Sequence, residues 1–546
     1  RTLSTSRDRM ETPLTPLEFA RRARKLYPER VAVIDGNSRW TYAQFLDRCD
    51  RWSSVLQKLG IGSRDRVAYL SPNTHAQLES FYAVPQIGAV LVPLNYRLTA
   101  DDFVYLINHS GSRMVCADRD YLGAIDSIRE QLPKVEHFVA LTCNVELPAR
   151  ENFRSPQPNS AWLDYEAMVE ASSAKFARPE IHETDLLTIN YTSGTTSRPK
   201  GVMITHRNAW MNSIGTLLYA PMTCADRYLW TLPMFHANGW TFVWTVTAAG
   251  ATHICLRKCE PRAVFELMAT EQITTLCAAP TVLISLANAP ENLRRLAPKG
   301  IHVITAGAPP AASTIQRLEE DLGWTITHVY GLTETAPFIT VCEARAEHAF
   351  LPISERAAIK ARQGVELITS GELRVVDTHG NDVPHDGVTQ GEIVARGNVV
   401  MAGYYNDTEA TEKALRGGWF HTGDAAVVHP DGYVEIRDRM KDVIISGGEN
   451  ISSVEVEGVL LRHSAVQEVA IVGFPHEKWG EAPHAFVVLH EGARADAREL
   501  CEFARANLAH FKAPHTVTFV NELPKTATGK IQKYILRKQR PAIALQ

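Results

Sequence analysis

The chain has 546 residues, too many for a single hydrophobic core, so at least two domains are expected. Its residues are 45% apolar and 22% charged, which are ordinary proportions for a globular enzyme. A net charge of -4 gives no broad electrostatic attraction to nucleic acid or to an anionic membrane, so small-molecule partners are predicted.

The first part of the chain alternates strand-like and helix-like segments, which predicts an α/β architecture. Strand-like apolar segments lie at 31–36, 66–73 and 112–120, and residues 42–60 have helical spacing. Residues 141–183 are more polar and are expected to form a loose surface excursion. The α/β alternation resumes between 224 and 340, with predicted buried strands at 227–233, 252–258, 274–280 and 301–307.

From residue 371 the pattern changes to shorter strands and turns, which predicts an antiparallel lobe. The charged stretch RDRMKDV at 437–443 is the predicted boundary between a domain at 1–438 and a domain at 439–546. Elements of a small α+β domain are predicted beyond it: helices at 453–462 and 499–511, and strands at 467–473, 484–490 and 516–520.

One loop, YTSGTTSRPKG at 191–201, is rich in hydroxyls and glycine and contains Lys200. It follows a strand-like run at 185–190 and precedes residues 202–214, which have helical spacing. Strand, loop and helix in this order bring backbone N–H groups and hydroxyls onto an anion, so a phosphate-binding loop is predicted. The usual P-loop pattern does not fit, because Lys200 precedes Gly201 and Val202 follows it.

Six motifs in order carry a family resemblance over nearly all of the chain: YTSGTTSRPKG, the GAP of TAGAPP, YGLTET, GWFHTGD, DRMKDVIISGGENISSVEVE and PKTATGKIQK. The chain resembles the adenylate-forming superfamily of acyl-CoA synthetases, peptide-synthetase adenylation domains and luciferases, and among these the short- and medium-chain acyl-CoA ligases. The resemblance implies a large N-terminal domain of layered α/β subdomains with a β lobe. A small, mobile α+β C-terminal domain would follow.

The resemblance also implies a nucleotide site. The opening loop would wrap the ATP triphosphate through Thr192, Ser193, Gly194, Thr195, Thr196 and Lys200. Tyr330, with Gly331 beside it, would face adenine, and Thr335 would reach the α-phosphate. Glu334 would ligate Mg²⁺ together with Thr195. Asp424 would accept the ribose hydroxyls. The remaining residues implied beside the nucleotide are Gly307, Ala308, Pro309, Ile436 and Arg439.

In the small domain, the resemblance implies that Lys530 bridges the carboxylate and the α-phosphate. Lys441 would be the hinge about which the domain turns. The glycines of GGEN, Gly447 and Gly448, would then line the pantetheine path together with Glu449. Lys530, Glu334, Thr195 and His236 are the implied catalytic residues.

The segment 232–244 corresponds to the wall and gate of the acyl pocket, with His236 at the gate. Asn238, Gly239, Trp240 and Gly331 are the other implied pocket residues. A bulky indole would shorten the pocket, and no charged residue there calls for a charged substrate, so short to medium-chain or compact aryl acids are favoured. The alternative that Trp240 is an ordinary buried core residue is left open at this point.

The implied reaction consumes ATP with Mg²⁺ and has two halves. A carboxylate gives acyl-AMP and pyrophosphate, and the thiol of coenzyme A then takes the acyl group. Loading of a carrier protein supplied in trans is the alternative.

The nine cysteines have no disulfide-like or zinc-like spacing and predict buried free thiols. No apolar run is long enough to cross a bilayer. A cytoplasmic enzyme is expected. An organellar matrix is left open because the chain starts with Arg1, and a homodimer is left open too.

Overall fold

The structure is a computed structural model that describes residues 10–141, 162–192, 198–440, 442–446, 449–476, 479–526 and 531–539. Up to residue 192, strands and helices alternate as the sequence predicts. The strands are β1 Val31–Asp35, β2 Ser38–Thr41, β3 Arg66–Leu70, β4 Val90–Pro93, β5 Met114–Asp118, β6 His137–Leu141, β7 Leu163–Asp164 and β8 Leu186–Thr192. The helices are α1 Leu17–Leu26, α2 Tyr42–Lys58, α3 His75–Ala83, α4 Ala100–Ser110, α5 Leu122–Asp126 and α6 Tyr165–Ala171.

The alternation continues from residue 200 to 366. The strands are β9 Lys200–Thr205, β10 Arg227–Leu229, β11 Thr252–Ile254, β12 Thr275–Ala278, β13 His302–Thr305, β14 Thr325–Gly331, β15 Phe338–Val341 and β16 Val365–Glu366. The helices are α7 His206–Tyr219, α8 Ala237–Trp240, α9 Phe242–Ala249, α10 Pro261–Glu271, α11 Pro280–Ala287, α12 Glu291–Arg294, α13 Ala312–Leu322 and α14 Ile353–Lys360. The four buried strands predicted in this region are β10 to β13.

The antiparallel lobe predicted from residue 371 is a four-stranded sheet in the order β17-β18-β20-β21. Its elements and their neighbours are β17 Glu372–Val376, β18 Gly391–Arg396, β19 Gly403–Tyr404, α15 Thr408–Ala414, β20 Phe420–Val428 and β21 Val434–Arg439. β19 leaves the lobe and pairs with β9 instead.

Two large sheets form the body of the protein. One has the order β16-β15-β14-β13-β12-β10-β11-β1-β2, and the other has the order β19-β9-β8-β4-β3-β5-β6-β7. The neighbours among β3, β4, β5, β6 and β8 are parallel, and most of their residues are buried, as expected for strands covered on both faces. The predicted α/β class, with its β lobe, is confirmed.

Residues beyond the lobe build a separate sheet with its own apolar cores. Its elements are β22 Ile444–Ser446, β23 Glu449–Ile451, α16 Ser453–Leu460, β24 Val466–His476, β25 Gly480–Leu489, α17 Ala497–Asn507, β26 Thr516–Phe519 and α18 Lys533–Leu536. They agree with the predicted helices and strands of this region. We therefore propose the small domain at 439–546.

One prediction about the hydroxyl-rich loop was wrong. Residues 202–205 belong to strand β9, and helix α7 begins only at His206. Val202 and Ile204 are buried in the sheet, and a capping box between Thr205 and Asn208 fixes the start of the helix. The loop therefore joins two antiparallel strands, β8 and β9, and no helix N-terminus follows it directly.

Two further expectations concern cysteine and the membrane. Eight of the cysteines lie in the described residues and all are free thiols, of which six are buried and Cys224 and Cys259 are half-buried. Cys143 lies outside the described residues. In the same ranges, no helix combines the length and the apolar character that crossing a membrane requires.

Candidate active site

The β8–β9 hairpin presents the ends of the hydroxyl-rich loop. Thr192 is the partner of Lys200 across the hairpin, and the Thr192 hydroxyl lies 3.5 Å from the carbonyl oxygen of Lys200. Residues 193–197, which include the predicted ligands Ser193, Gly194, Thr195 and Thr196, lie outside the described residues. Of the predicted triphosphate ligands, Thr192 and Lys200 are therefore the two that lie in the described residues.

Lys200 points at a residue that no motif had singled out. Its Nζ lies 4.8 Å from the centre of the Tyr404 ring, within the range of a cation–π contact. The Tyr404 hydroxyl donates a hydrogen bond to Glu334 Oε1 at 2.8 Å. Burial and the neighbouring Glu334 raise the pKa of Tyr404, so the phenol stays protonated and remains a donor. Lys200, Tyr404 and Glu334 therefore form one row.

A second cluster is centred on the buried carboxylate of Asp424. It accepts a hydrogen bond from the Tyr330 hydroxyl at 2.6 Å and pairs with Arg439 Nε at 2.8 Å. Asp424 and Arg439 are direct partners on β20 and β21. Burial lowers the pKa of Arg439, but the charges of Asp424, Tyr330 and Glu334 outweigh it and raise that pKa overall. Tyr330 lies at the end of β14 and Glu334 in the turn that directly follows, so the two clusters belong to one site.

The turn that carries Glu334 is tightly built. A Cβ at Gly331 would lie 1.7 Å from the carbonyl oxygen of Pro337, so only glycine fits there. The Thr335 side chain is buried, and its hydroxyl accepts from the Leu332 backbone N–H at 2.9 Å and also donates to the Pro337 carbonyl. Contact between Thr335 and an α-phosphate would require these bonds to break, and that role stays a prediction.

The other predicted nucleotide residues surround these clusters. Ile436 is buried in the same small apolar core as Tyr330, and its backbone N–H donates to Gln363 Oε1 at 2.5 Å. Gly307 has a φ of 91° and is exposed at the end of β13, while Ala308 and Pro309 are half-buried. A Cβ on Gly307 would lie 3.8 Å from the Trp240 indole, so the turn expected at adenine also borders the acyl-pocket segment.

The acyl-pocket segment contains α8, which is a single turn with a left-handed backbone and not a regular right-handed helix. Ala237, Asn238, Gly239, Trp240 and Thr241 have φ angles of 36°, 49°, 54°, 52° and 68°. A left-handed conformation costs an L-residue about 1–2 kcal/mol, so local preference disfavours this turn and the surrounding fold must hold it. Strain of this kind is concentrated at functional sites.

Hydrogen bonds from buried amide side chains hold the left-handed turn in place. Asn190 Nδ2, in the buried part of β8, donates to Asn238 Oδ1 and to the Phe235 carbonyl, each at 3.1 Å. Asn238 Nδ2 donates in turn to the Thr188 hydroxyl at 2.9 Å. β8 thus supports the acyl-pocket turn with side chains of its buried part and continues into the hydroxyl-rich loop.

Trp240 is 3% exposed, and its ring meets Phe338 edge-on with a centroid distance of 5.8 Å. His236 precedes the turn and is half-buried, with its ring centroid 6.5 Å from that of Phe235. Trp240 therefore packs between Phe338 and the Gly307 turn. This placement agrees with a pocket wall, and the role stays a prediction.

Four predicted residues of the small domain and hinge lie outside the described residues: Lys441, Gly447, Gly448 and Lys530. Glu449 opens β23, and only its backbone is described. In the ranges that the structure describes, no three His, Cys, Asp or Glu side chains lie where they could hold a metal ion together.

Sequence reasoning missed Tyr404, Asn190 and Phe338. The repeated tyrosine of GYYND was one available signal for Tyr404, and a polar residue closing the apolar run DLLTIN was one for Asn190. Phe338 had no signal, because it reads as an ordinary strand residue. Its contact with Trp240 depends on the packing of distant segments.

Comparisons with known proteins found matches that cover most of the chain. The model of the AMP-binding enzyme family matches residues 19–405, and that of the AMP-binding enzyme C-terminal domain matches residues 455–530. The chain is 42% identical to 4-hydroxybutyrate–CoA ligase 2 of Metallosphaera sedula, over 97% of this chain and 95% of that protein. It is also 42% identical to the peroxisomal acetate/butyrate–CoA ligase AAE7 of Arabidopsis thaliana, over 96% of this chain and 94% of that protein.

A solved structure extends the likeness to three dimensions. ATP-bound MatB from Rhodopseudomonas palustris superimposes with a TM-score of 0.80 at 27% identity, covering 96% of this chain and 98% of that one.

Proposed function

Because the chain belongs to the AMP-binding enzyme family, we propose that it joins a short to medium-chain, or compact aryl, carboxylic acid to coenzyme A through an acyl-AMP. The family identified from the motifs is thereby confirmed. Relatives that align over nearly the full length are ligases of acids and CoA, which supports CoA as the acceptor. We propose that the enzyme acts in the cytoplasm, with an organellar matrix as the alternative. A homodimer is the oligomeric state left open.

The observation that carries the proposal is the meeting of two charged clusters at one site. Asp424 with Arg439 and Tyr330 forms one side, and Glu334 with Tyr404 and Lys200 forms the other. A buried carboxylate suits the ribose hydroxyls, and a lysine at the end of a hydroxyl-rich hairpin suits a triphosphate. One nucleoside triphosphate would satisfy both clusters at once.

In the first step a carboxylate oxygen forms a bond to the α-phosphorus of ATP, and the bond from that phosphorus to the bridging oxygen breaks. Pyrophosphate leaves with that electron pair. Positioning and charge neutralisation dominate phosphoryl-group chemistry of this kind. Lys200 would neutralise the departing phosphates, and Lys530 would hold the carboxylate against the α-phosphate.

The residues present suit a magnesium ion. Glu334 offers a hard carboxylate that Tyr404 orients through one oxygen, and Thr195 is the other proposed protein ligand. Mg²⁺, when bound, would neutralise charge on the phosphate oxygens. The chain's own part is to orient Glu334: the Tyr404 hydroxyl donates to its carboxylate, and the Met401 backbone N–H donates to its carbonyl oxygen at 2.8 Å.

The remaining assignments are part of the proposal. Tyr330 would place adenine, and the turn at Gly307, Ala308 and Pro309 would border it. In the second step the thiol of CoA attacks the acyl carbon, and AMP leaves. The small domain would turn about Lys441 for this step. The pantetheine arm would then run past Gly447, Gly448 and Glu449.

The preference for a short or compact acid rests on Trp240. Its indole and Phe338 close the space beside the Gly307 turn. Phe338 also lines a small cavity of about 10 Å³, together with apolar and hydroxyl side chains such as Thr216, Ile304 and Leu367. His236, Asn238, Gly239 and Gly331 would complete the pocket. A long alkyl chain would need Trp240 or Phe338 to move.

A screen of pyrophosphate release tests the proposal. Purified protein would receive ATP, Mg²⁺ and one acid at a time, from acetate to dodecanoate and including benzoate, with and without CoA. We expect release with short or compact acids and formation of their CoA thioesters. The Lys530→Ala variant should form no acyl-AMP yet still convert supplied acyl-AMP. Release without any thioester would point to another acceptor, such as a carrier protein, and no release with any acid would refute the proposal.

A further inference from the structure

Helix α4 contacts both strands of the hydroxyl-rich hairpin. Tyr105 and His109 lie four residues apart on α4, so their side chains share one face of the helix. The Tyr105 hydroxyl donates to the Pro199 carbonyl at 3.1 Å, directly before β9. His109 Nδ1 lies 2.8 Å from the Tyr191 hydroxyl on β8. One face of α4 therefore holds the chain on either side of the loop.

Tyr105 contacts the two residues that precede Lys200. Its ring lies beneath the Arg198 guanidinium, whose Cζ is 5.1 Å from the ring centre, within the range of a cation–π contact. The Pro199 carbonyl that Tyr105 holds belongs to the peptide unit between Pro199 and Lys200. A peptide unit is planar, so a bond to its oxygen also orients the backbone nitrogen and Cα of Lys200. Tyr105 therefore sets the direction in which Lys200 leaves the loop.

His109 acts on the residue after Lys200. Tyr191 is the partner of Gly201 across the hairpin, and a Cβ on Gly201 would lie 3.3 Å from the Tyr191 ring. Burial lowers the pKa of His109 and raises that of Tyr191, so their hydrogen bond joins two neutral groups at neutral pH. Neither group competes with Lys200 for a phosphate. His109 thus holds the ring that covers Gly201.

The strand β19 completes the enclosure of Lys200. The Tyr405 backbone N–H donates to the Gly201 carbonyl at 2.7 Å, and the Tyr405 ring meets the His109 ring edge-on with a centroid distance of 6.0 Å. The preceding residue, Tyr404, receives the Lys200 ammonium over its ring. The backbone on both sides of Lys200 is therefore fixed by α4 and β19, and its charged end rests on Tyr404.

We propose that Tyr105 is a positioning residue for the triphosphate: it holds the peptide unit before Lys200 and so aims the ammonium at the departing phosphates. His109 supports the same alignment through Tyr191. This role rests on the proposed function, in which Lys200 neutralises those phosphates. A lysine side chain is long and flexible, so the direction of its backbone decides how often the ammonium reaches a given point. A misplacement of 1 Å can cost about 100-fold in rate.

The experiment measures ATP affinity by calorimetry and acyl-AMP formation by pyrophosphate release, with the full chain and the acid that reacts fastest in the screen. Tyr105→Phe keeps the ring under Arg198 and removes the bond to Pro199, which should weaken both ATP affinity and kcat/KM for ATP by about 2- to 12-fold. Tyr105→Leu also removes the ring and should lose more. Thioester formation from supplied acyl-AMP should stay within about twofold, because no triphosphate takes part in it.

A double-mutant cycle separates positioning from a general effect on the fold. If Tyr105 acts through Lys200, then adding Tyr105→Phe to Lys200→Met should change ATP affinity by less than about twofold. The matched control is Tyr433→Phe, which removes a hydroxyl that also donates to a backbone carbonyl, that of Glu343. Tyr433 directly precedes β21, at the opposite end of that strand from Arg439. This control should leave ATP affinity and both half-reactions unchanged.

Three results would overturn the role of Tyr105: wild-type ATP affinity in Tyr105→Phe, equal losses in both half-reactions, or the same loss with and without the Lys200 ammonium. Failure of the proposed function looks different. A wild-type protein that binds ATP but releases no pyrophosphate with any acid refutes the proposed reaction, and the ATP affinities of the four cycle proteins then still decide whether Tyr105 acts through Lys200.

Discussion

Replacing Trp240 by glycine should lengthen the acids that the enzyme accepts. The indole packs edge-on against Phe338 at 5.8 Å and borders Gly307, so its removal opens space at the proposed acyl pocket. Each methylene buried in that space contributes roughly 0.8 kcal/mol, or about fourfold in kcat/KM. An acid longer by two methylenes should therefore gain about 15-fold, while kcat/KM for the shortest acids falls.

The backbone at Trp240 adds a second, independent expectation. Truncation of a buried tryptophan to alanine costs about 3–5 kcal/mol of unfolding free energy when the cavity stays open. Trp240 has a φ of 52°, a conformation that costs an L-residue about 1–2 kcal/mol and costs glycine almost nothing. Trp240→Gly should therefore be more stable than Trp240→Ala by about that amount.

The assay combines chain-length profiles with denaturant unfolding of each variant. Trp324→Ala is the matched control, because Trp324 is 3% exposed, like Trp240, and packs against Phe265 in a different apolar core. It should lose stability without reordering the acids. If Trp240→Gly and Trp240→Ala behave as Trp324→Ala does, with unaltered chain-length profiles, then Trp240 is a core residue and the preference for short acids loses its basis.

Three other changes have defined outcomes. Tyr404→Phe should lower kcat/KM for ATP by about 10- to 150-fold, since a hydrogen bond to a charged group contributes about 1.5–3 kcal/mol, and an unchanged value would refute the role of Tyr404 in orienting Glu334. Lys441→Pro should preserve acyl-AMP formation but abolish thioester formation, since proline fixes φ; normal steady-state turnover would place the hinge elsewhere. The free energy of unfolding, measured by urea titration, should fall as the pH is lowered from about 6.5 to 4. The slope should reach ~1.4 kcal/mol per pH unit for each buried histidine, because the unfolded chain takes up protons that the folded protein excludes. A flat profile between pH 7 and 5 would contradict this. Burial lowers the pKa of these histidines to about 4 in His206, His328 and His484, and to about 3 in His253.

The sequence by itself determined the family and the layout of the chain. Buried strands such as 301–307 carry their signal in a short run of apolar residues, and that signal needs no knowledge of the neighbours. Motifs such as HTGD and YGLTET are equally local. Asp424, Tyr330 and Glu334 are therefore recognisable from the sequence, and in the structure Tyr330 donates to Asp424 while Glu334 lies in the turn after the strand of Tyr330.

Tertiary structure alone decided how those residues meet. The apolar spacing of 202–214 predicted a helix from residue 202, and this was wrong for 202–205. Pairing of β9 with β8 and β19 outweighs the local helix preference there. The same pairing brings Tyr404 to Lys200. The left-handed turn at Trp240 is locally unfavourable, and amides from β8 hold it. Contacts between residues so distant in sequence follow from strand order and packing, which a local pattern does not encode.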